Sequence, residues 1–350
     1  MITSWVNSRL SGAGLPPTRE GLSEYVLGRL KQVTGYAYGS SNFYGDLFRA
    51  KGITSDAVND LDAFSEVPFT FAEDILKNPY LFLCVSQGDV LRGFTVETLE
   101  GEMKQVFFTR DDLERVVDSI SSVFDSIGIT PNGHVAIVFP SENEWGIPDL
   151  ISKAAKKSRG NATLVDVPDL EKQISQIEEL KPEIIIGSAQ QLFFLSAVLQ
   201  RQGRPLGASP KAVIASHGCV PYILTEKAKA MIDRSWNNLF EYFGITEMGF
   251  TVSFDCRVHN GLHLNEVDIY AEVVNPESGE PKAPGEKGEL VLTNLSSRAM
   301  PILRYRTGYL SSIIEEPCSC GDTLTRRLKV FSSIATDEDL LNQPVVLRPF

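Results

Sequence analysis

Residues 285–310 read GEKGELVLTNLSSRAMPILRYRTGYL and form the most informative segment of the chain. A turn rich in Gly and Pro precedes a β-pattern at residues 289–293, and a polar loop follows it. Residues 300–308 then predict a short buried strand that ends at a turn of small residues. A second informative segment, residues 241–247, reads EYFGITE shortly before it. From residue 251 onward, hairpin patterns and strong turns predict a small β subdomain that the first segment closes.

Residues 111–250 alternate apolar strand patterns with amphipathic helix patterns. Strands without polar alternation, separated by helices, indicate a parallel sheet that helices cover on both faces. The predicted strands are residues 134–140, 162–167, 183–187, 211–215 and 238–242. Ligands of such sheets bind beyond the C-terminal ends of the strands, and several polar loops of this chain fall at that edge.

The predicted fold class is therefore α/β, with a helical N-terminal lead-in, a parallel sheet between helices and a small C-terminal β subdomain. Helical spacing and capping patterns assign residues 1–110 to the lead-in. The parallel core takes residues 111–250, and the β subdomain takes residues 251–330. Residues 331–350 are expected to form a remnant tail.

The segments EYFGITE and GELVLTNLSSRAMPILRYRTG, in this order, resemble the nucleotide-binding motifs of the adenylate-forming superfamily. They are most similar to its phenylacetate–CoA ligase-like branch, and the lead-in is similar to the helical start of that branch. The resemblance implies that a carboxylate attacks the α-phosphorus of MgATP, which gives an acyl-adenylate and pyrophosphate. The first hypothesis is therefore a truncated adenylate-forming enzyme that acts on an aromatic or other small carboxylic acid.

The resemblance also implies roles for individual residues. Phe243 would offer a flat face to adenine, Thr246 would reach the α-phosphate and Glu247 would hold Mg²⁺. The implied nucleotide-binding set is His217, Gly218, Cys219, Phe243, Gly244, Thr246, Arg306 and Tyr309, with Thr246 and Glu247 as the catalytic pair. Three further residues either line the pocket for the acid or belong to ordinary loops: Ser141, Trp145 and Ser188.

Three features depart from the family pattern. Where the family has a phosphate loop rich in Ser, Thr and Gly, residues 95–104 keep one glycine, two threonines and Lys104 but add three glutamates. A carboxylate ~4 Å from a phosphate costs about 4 kcal/mol at an effective dielectric constant near 20, so a solvated acidic turn is the favoured interpretation.

Tyr309 stands where the family has the aspartate that holds the ribose hydroxyls. The sequence after residue 330 has neither a recognisable hinge nor the mobile C-terminal lobe of the family. The alternative hypothesis is therefore a catalytically degenerate homologue. Such a protein would bind an acyl or aryl ligand, or a partner protein, without ATP chemistry.

A separate set of residues predicts a structural metal site. Cys256 and His259 form a C-x-x-H pair, and Cys318 and Cys320 form a C-x-C pair. Two short chelating pairs suit a tetrahedral Zn²⁺ ion with no open position. His263 is the substitute ligand if His259 points away, and unrelated buried thiols are the alternative.

The composition limits the classes of partner. The chain has 33 Lys and Arg against 45 Asp and Glu, a net charge of −12, which argues against nucleic acid or an anionic membrane. Five cysteines, no visible export signal and no apolar run of membrane length predict a protein of the reducing cytoplasm. The expected partners are a small carboxylic acid and an acceptor or partner enzyme that replaces the missing lobe. A homodimer is left open.

Overall fold

The computed structural model describes residues 2–54, 56–98, 101–140, 142–207, 209–217 and 226–333. The residues predicted as a remnant tail lie almost entirely outside the described part of the chain. Within that part, no helix is long and apolar enough to cross a membrane.

The N-terminal region is helical, as predicted. Its helices are α1 (Thr3–Gly12), α2 (Arg19–Ser40), α3 (Asn42–Lys51), α4 (Leu61–Ser65) and α5 (Ala72–Lys77). Thr18 caps α2 by accepting a hydrogen bond from the Gly21 N–H at 3.1 Å, as the sequence predicts. An antiparallel hairpin of β1 (Arg92–Glu97) and β2 (Met103–Phe108) ends this region.

The core is a parallel α/β unit. Its elements are α6 (Arg110–Ile127), β3 (His134–Val138), α7 (Ile147–Lys157), β4 (Asn161–Leu164), α8 (Leu170–Leu180), β5 (Ile184–Ser188), α9 (Ala189–Arg201), β6 (Ala212–His217), α10 (Glu226–Trp236) and β7 (Leu239–Phe243). The strands pair in the order β7-β6-β5-β3-β4, and every pair is parallel.

Helices cover both faces of this sheet, which confirms the predicted fold class. Alternate strand residues point to opposite faces. Ile185 and Val213 belong to the apolar cluster that includes residues of α8, α9 and α10. Ile184 and Ile214 belong to the cluster that includes residues of α6 and α7.

The remaining strands extend the same sheet. They are β8 (Ser253–Phe254), β9 (Leu262–Leu264), β10 (Ile269–Val274), β11 (Gly288–Asn294), β12 (Tyr305–Ile314) and β13 (Arg327–Ser333). All of them pair antiparallel, and the order β10-β11-β12-β13-β9-β8 continues directly into β7. The antiparallel strands therefore share a sheet with the parallel core.

The prediction of a strand over residues 300–308 is wrong in its first half. The strand β12 begins only at Tyr305. Pro301 has no N–H for a ladder hydrogen bond, and Arg304 has a φ of 45°, outside the β-region. Residues 300–304 instead form a buried irregular segment.

Asp112 connects the loop before this irregular segment to helix α6 of the core. One of its carboxylate oxygens accepts hydrogen bonds from the Thr109 N–H at 2.8 Å and from the Ala299 N–H at 3.1 Å. The other accepts from the Arg298 N–H at 2.7 Å. Asp112 is 7% exposed, so it completes the capping box of α6 and satisfies two amides of a loop distant in sequence.

We predict that Asp112→Ala lowers the free energy of unfolding by about 3 kcal/mol. The substitution removes a helix cap and leaves buried N–H groups unsatisfied, and each of these groups costs about 1–3 kcal/mol. Urea denaturation followed by circular dichroism measures the loss. The control is Asp111→Ala at the adjacent position, where the side chain is 60% exposed and pairs with Arg298. It should change stability by less than about 0.5 kcal/mol. Equal effects of the two substitutions would refute the role given to Asp112.

Candidate functional site

The C-terminal ends of β6 and β7 bring two predicted nucleotide-binding residues together. His217 and Phe243 are register partners on adjacent parallel strands, so their side chains share one face of the sheet. Both side chains line a cavity of about 780 Å³ that α10, β7, β9 and β13 also border. The volume lies within the range of about 300–1,000 Å³ that is usual for small-molecule sites. Gly218 and Cys219 lie outside the described residues.

A buried cluster of charged groups stands on the same face. His217 Nε2 lies 3.0 Å from Glu241 Oε2, and Lys229 Nζ lies 2.9 Å from the same oxygen. Burial acts to raise the pKa of Glu241, but His217 and Lys229 outweigh it and lower the pKa to about 2. His217 Nδ1 is buried without a hydrogen-bond partner.

Gly244 and Tyr309 shape the surroundings of Phe243. A Cβ atom on Gly244 would lie 1.4 Å from the carbonyl oxygen of Phe250, so this backbone position excludes any side chain. The Gly244 N–H donates to the His217 carbonyl at 3.1 Å. The ring of Tyr309 meets the ring of Phe243 edge-on, with centroids 5.3 Å apart. An aromatic contact therefore stands where the sequence motif of the family implies a carboxylate.

Thr246 and Glu247 lie on a short 3-10 turn, Thr246–Met248, and both are buried. Glu247 Oε1 lies 2.6 Å from Lys104 Nζ, and it accepts a hydrogen bond from the Tyr305 hydroxyl at 3.0 Å. Burial, followed by the Glu247 carboxylate, raises the pKa of Tyr305 well above its ordinary value, so this hydroxyl keeps its proton. The predicted ligand of Mg²⁺ is thus already neutralised by a lysine.

The region of the predicted phosphate loop is a turn of the β1–β2 hairpin. The Thr98 N–H donates to the Glu102 carbonyl at 2.7 Å, and the Gly101 N–H donates to the Thr98 carbonyl at 3.1 Å. Glu97 and Glu102 are exposed. These N–H groups of the turn therefore donate to carbonyl groups of the same turn. This fits the interpretation of a solvated acidic turn.

Other predicted residues have partners of their own. Arg306 Nε donates to Glu289 Oε2 at 2.6 Å, and the second oxygen of Glu289 accepts from the Gly308 N–H. The Ser188 hydroxyl caps α9. Trp145 is half-buried beneath the cations of Arg110 and Lys153. Ser141 lies outside the described residues.

The structure brings three predicted metal ligands together with His263. The ligand atoms of Cys256, His263, Cys318 and Cys320 all lie within 4.8 Å of one another. His259 is not in this group, because its Nδ1 lies 2.6 Å from Asp255 Oδ2 and its side chain is 51% exposed. The substitute ligand considered from the sequence therefore takes its place.

The geometry of the cysteine and histidine cluster fits a tetrahedral zinc ion. Two sulfurs that each lie about 2.3 Å from Zn²⁺ in a tetrahedron are about 3.8 Å apart. The Cys256 and Cys318 sulfurs are 3.8 Å apart, and Cys320 Sγ is 3.5 Å from His263 Nε2. His263 Nδ1 lies 2.9 Å from the Thr325 hydroxyl and 3.1 Å from an Asp322 carboxylate oxygen. Such a partner orients a metal-binding imidazole.

The sequence analysis did not identify the residues that pair with Glu247 or those that surround His217. It noted Lys104 without assigning it a contact, and it gave Tyr305 no role. The charged group formed by Glu241 and Lys229 was missed as well. Glu241 carried a usable signal, because an acidic residue interrupts an otherwise apolar strand pattern.

No family model matches the sequence, whereas individual known proteins do. The chain is 27% identical over 343 residues to a phenylacetate-coenzyme A ligase of Thermus thermophilus, covering 95% of this chain and 74% of that protein. It is 26% identical over 295 residues to a phenylacetate-coenzyme A ligase of Escherichia coli, covering 82% of this chain and 66% of that protein.

Solved structures show the same fold. A 2-hydroxyisobutyryl-CoA ligase in an open conformation, in complex with 2-HIB-AMP and CoA, superposes with a TM-score of 0.80 at 19% identity. The match covers 91% of this chain and 76% of that one. The relatives and the shared fold together support a place in the adenylate-forming superfamily. Among its branches, the sequence is similar to the phenylacetate–CoA ligases.

We predict that Glu241→Gln lowers stability by about 3 kcal/mol at pH 6, from the fall of the Glu241 pKa to about 2. A depressed pKa stabilises the folded state above the unfolded-state value near 4.5. This stabilisation disappears as the pH falls toward 2, so the difference between wild type and variant should shrink over that interval. Urea denaturation at pH 6, 4 and 3 measures it.

The control is Glu226→Gln. Glu226 also contacts Lys229, at 3.2 Å, but its side chain is 91% exposed. It should change stability by less than about 0.5 kcal/mol at every pH. A difference between wild type and Glu241→Gln that does not depend on pH would contradict the assignment.

Proposed function

We propose that this chain binds a mononucleotide and a small carboxylic acid and activates the acid with MgATP as an acyl-adenylate. The observation that carries the proposal is the cavity of about 780 Å³ beside His217 and Phe243. It runs along one face of β7 from Leu239 and reaches the C-terminal ends of β6 and β7, the edge at which α/β proteins bind ligands. The relatives named as phenylacetate-coenzyme A ligases support an acid as the substrate class.

The chain's own residues would act by positioning. We place the base beside Phe243 and His217, which both border the cavity. In the reaction, a carboxylate oxygen forms a bond to the α-phosphorus. The bond from the α-phosphorus to the bridging oxygen breaks, and pyrophosphate leaves with the electron pair. Holding both reactants in line converts a bimolecular step into a step within one complex. The Thr246 hydroxyl, next to Glu247, is the proposed contact for the α-phosphate.

A specific observation favours a second candidate function. Glu247 is paired with Lys104, and Tyr309 packs against Phe243. Both contacts fill positions that the family motif implies for a metal ion and for ribose. A protein that binds an acyl or aryl ligand without ATP chemistry would retain the fold and such contacts. The acyl acceptor and a partner enzyme remain predictions in either case.

We predict ATP–pyrophosphate exchange that depends on the added acid, tested over a panel of aromatic and short-chain acids with hydroxylamine trapping of the acyl-adenylate. Phe243→Ala should raise KM for ATP roughly tenfold to a hundredfold, because stacking of a base on an aromatic side chain is worth about 1–3 kcal/mol. Tyr80→Ala, which removes an aromatic ring that is 49% exposed, is the control and should leave the exchange unchanged.

Two measurements separate the candidates. Exchange with at least one acid supports the adenylating function. No exchange with any acid, together with no ATP binding by calorimetry, would remove that function. Binding of an aryl or acyl acid by calorimetry in the absence of ATP would then support the second candidate.

We also infer that Cys256, His263, Cys318 and Cys320 hold a structural Zn²⁺ ion. Four converging ligands leave no open position, which is the arrangement of structural zinc sites. The site would tie β9 and the loop before β13 to the segment that follows β8. Zinc would therefore stabilise the antiparallel half of the sheet without entering the chemistry.

We predict one zinc ion per chain, measured by mass spectrometry of the purified protein. His263→Ala should lose most of the zinc and lower the melting temperature. His259→Ala is the matched control and should keep the zinc, because this side chain lies outside the cluster. The reverse pattern, with zinc lost only from His259→Ala, would restore the ligand set expected from the spacing of the motif.

A further inference from the structure

The pairing of Lys104 with Glu247 is a buried three-residue network. Lys104 Nζ lies 2.6 Å from Glu247 Oε1 and donates to the Tyr305 hydroxyl at 2.8 Å, while that hydroxyl donates to Glu247 Oε1 at 3.0 Å. The three residues are 4%, 6% and 3% exposed. The Tyr305 hydroxyl accepts from the ammonium and donates to the carboxylate, so the three side chains form a closed ring of contacts.

The network places one positive charge against one negative charge. A buried carboxylate in this fold needs a cation, because an isolated buried charge is strongly disfavoured. Lys104 supplies that cation from β2. A divalent ion bound to the same carboxylate would lie beside the ammonium group, where like charges repel.

The residues present therefore do not fit the magnesium site that the sequence motif implies at Glu247. We propose that the Lys104 ammonium replaces the divalent cation at Glu247, so that this carboxylate binds no metal ion. In the proposed reaction, the phosphates of the nucleotide would then hold magnesium, and this carboxylate would not. The inference rests on the proposed nucleotide site only for this consequence, since the charge pairing involves only residues of this chain.

Lys104 thereby determines which ion the site accepts. A neutral residue at this position would free the Glu247 carboxylate, which has the hard oxygen ligands that Mg²⁺ and Mn²⁺ prefer. Tyr305 would remain beside it as a neutral hydroxyl and would not repel a cation. A lysine at position 104 thus makes this an ammonium site, and a neutral side chain there would make it a metal site.

The test measures Mn²⁺ binding to the full chain, loaded with zinc and without nucleotide, by electron paramagnetic resonance of the free ion. We expect wild type and Glu247→Gln to bind Mn²⁺ equally. Lys104→Met should gain one site at least tenfold tighter than any site in wild type. Lys104→Met combined with Glu247→Gln should lose that site. Lys104→Gln, which keeps a hydrogen-bond donor but not the charge, serves as the second variant if Lys104→Met fails to fold.

Lys211→Met is the matched control, because it also removes a lysine from an ion pair, the one with Glu183 at 3.1 Å. It should bind Mn²⁺ as wild type does. Binding by wild type that Glu247→Gln abolishes would overturn the proposal, and so would folded Lys104 variants that gain no site. Because the assay uses no ATP and no acid, its result is independent of the exchange experiment. Failure of adenylation and failure of this inference are therefore distinguishable.

Discussion

The closed ring of hydrogen bonds among Leu303, Tyr44 and Thr70 is the interaction on which the architecture around the site depends. The Leu303 N–H donates to the Tyr44 hydroxyl at 2.8 Å, and that hydroxyl and the Thr70 hydroxyl are 2.9 Å apart. The Thr70 hydroxyl then donates to the Leu303 carbonyl at 2.7 Å. Tyr44 and Thr70 are both fully buried, so loss of either partner would leave the others unsatisfied without access to water.

This ring fixes the irregular segment that precedes β12. Arg304 also holds this segment in place. Its guanidinium lies 3.0 Å from Glu272 and donates to the carbonyl of Val67 at 2.7 Å. Held in this way from the helical lead-in, the chain enters β12 with the Tyr305 hydroxyl against Glu247. The β1–β2 hairpin, the turn after β7 and strand β12 thus meet at the Lys104–Glu247 pair. Each of these regions contributes a group that the others cannot replace.

The sequence was sufficient for the features that local patterns encode. Apolar runs at the five predicted strands, separated by helices, specify a parallel sheet, and the caps at Thr18 and Thr109 are local in sequence. Contacts between distant residues were not accessible in this way. Lys104 and Tyr305 are 201 positions apart. No periodicity or propensity connects them, and only the tertiary fold brings them to the same carboxylate.

The cysteine and histidine cluster shows how a residue selected by its spacing can lie apart from the group it was assigned to. A C-x-x-H pair suggests that Cys256 and His259 bind together. In the fold, His259 has a φ of 54° and turns to Asp255, while His263 lies in β9 between two buried leucines. The strand carries the His263 ring to the cysteines. The C-x-x-H spacing was the strongest local signal, and it indicated His259. The position of β9, which local patterns do not give, brings His263 to the cysteines instead.

The two ends of the proposed nucleotide site have different physical characters. The end near His217 and Phe243 borders a cavity of about 780 Å³. The end near Glu247 is buried, and the Lys104 ammonium and the Tyr305 hydroxyl occupy one oxygen of that carboxylate. Binding at the first end therefore gains contacts that the free protein does not have. Binding of a metal at the second would have to break contacts already made.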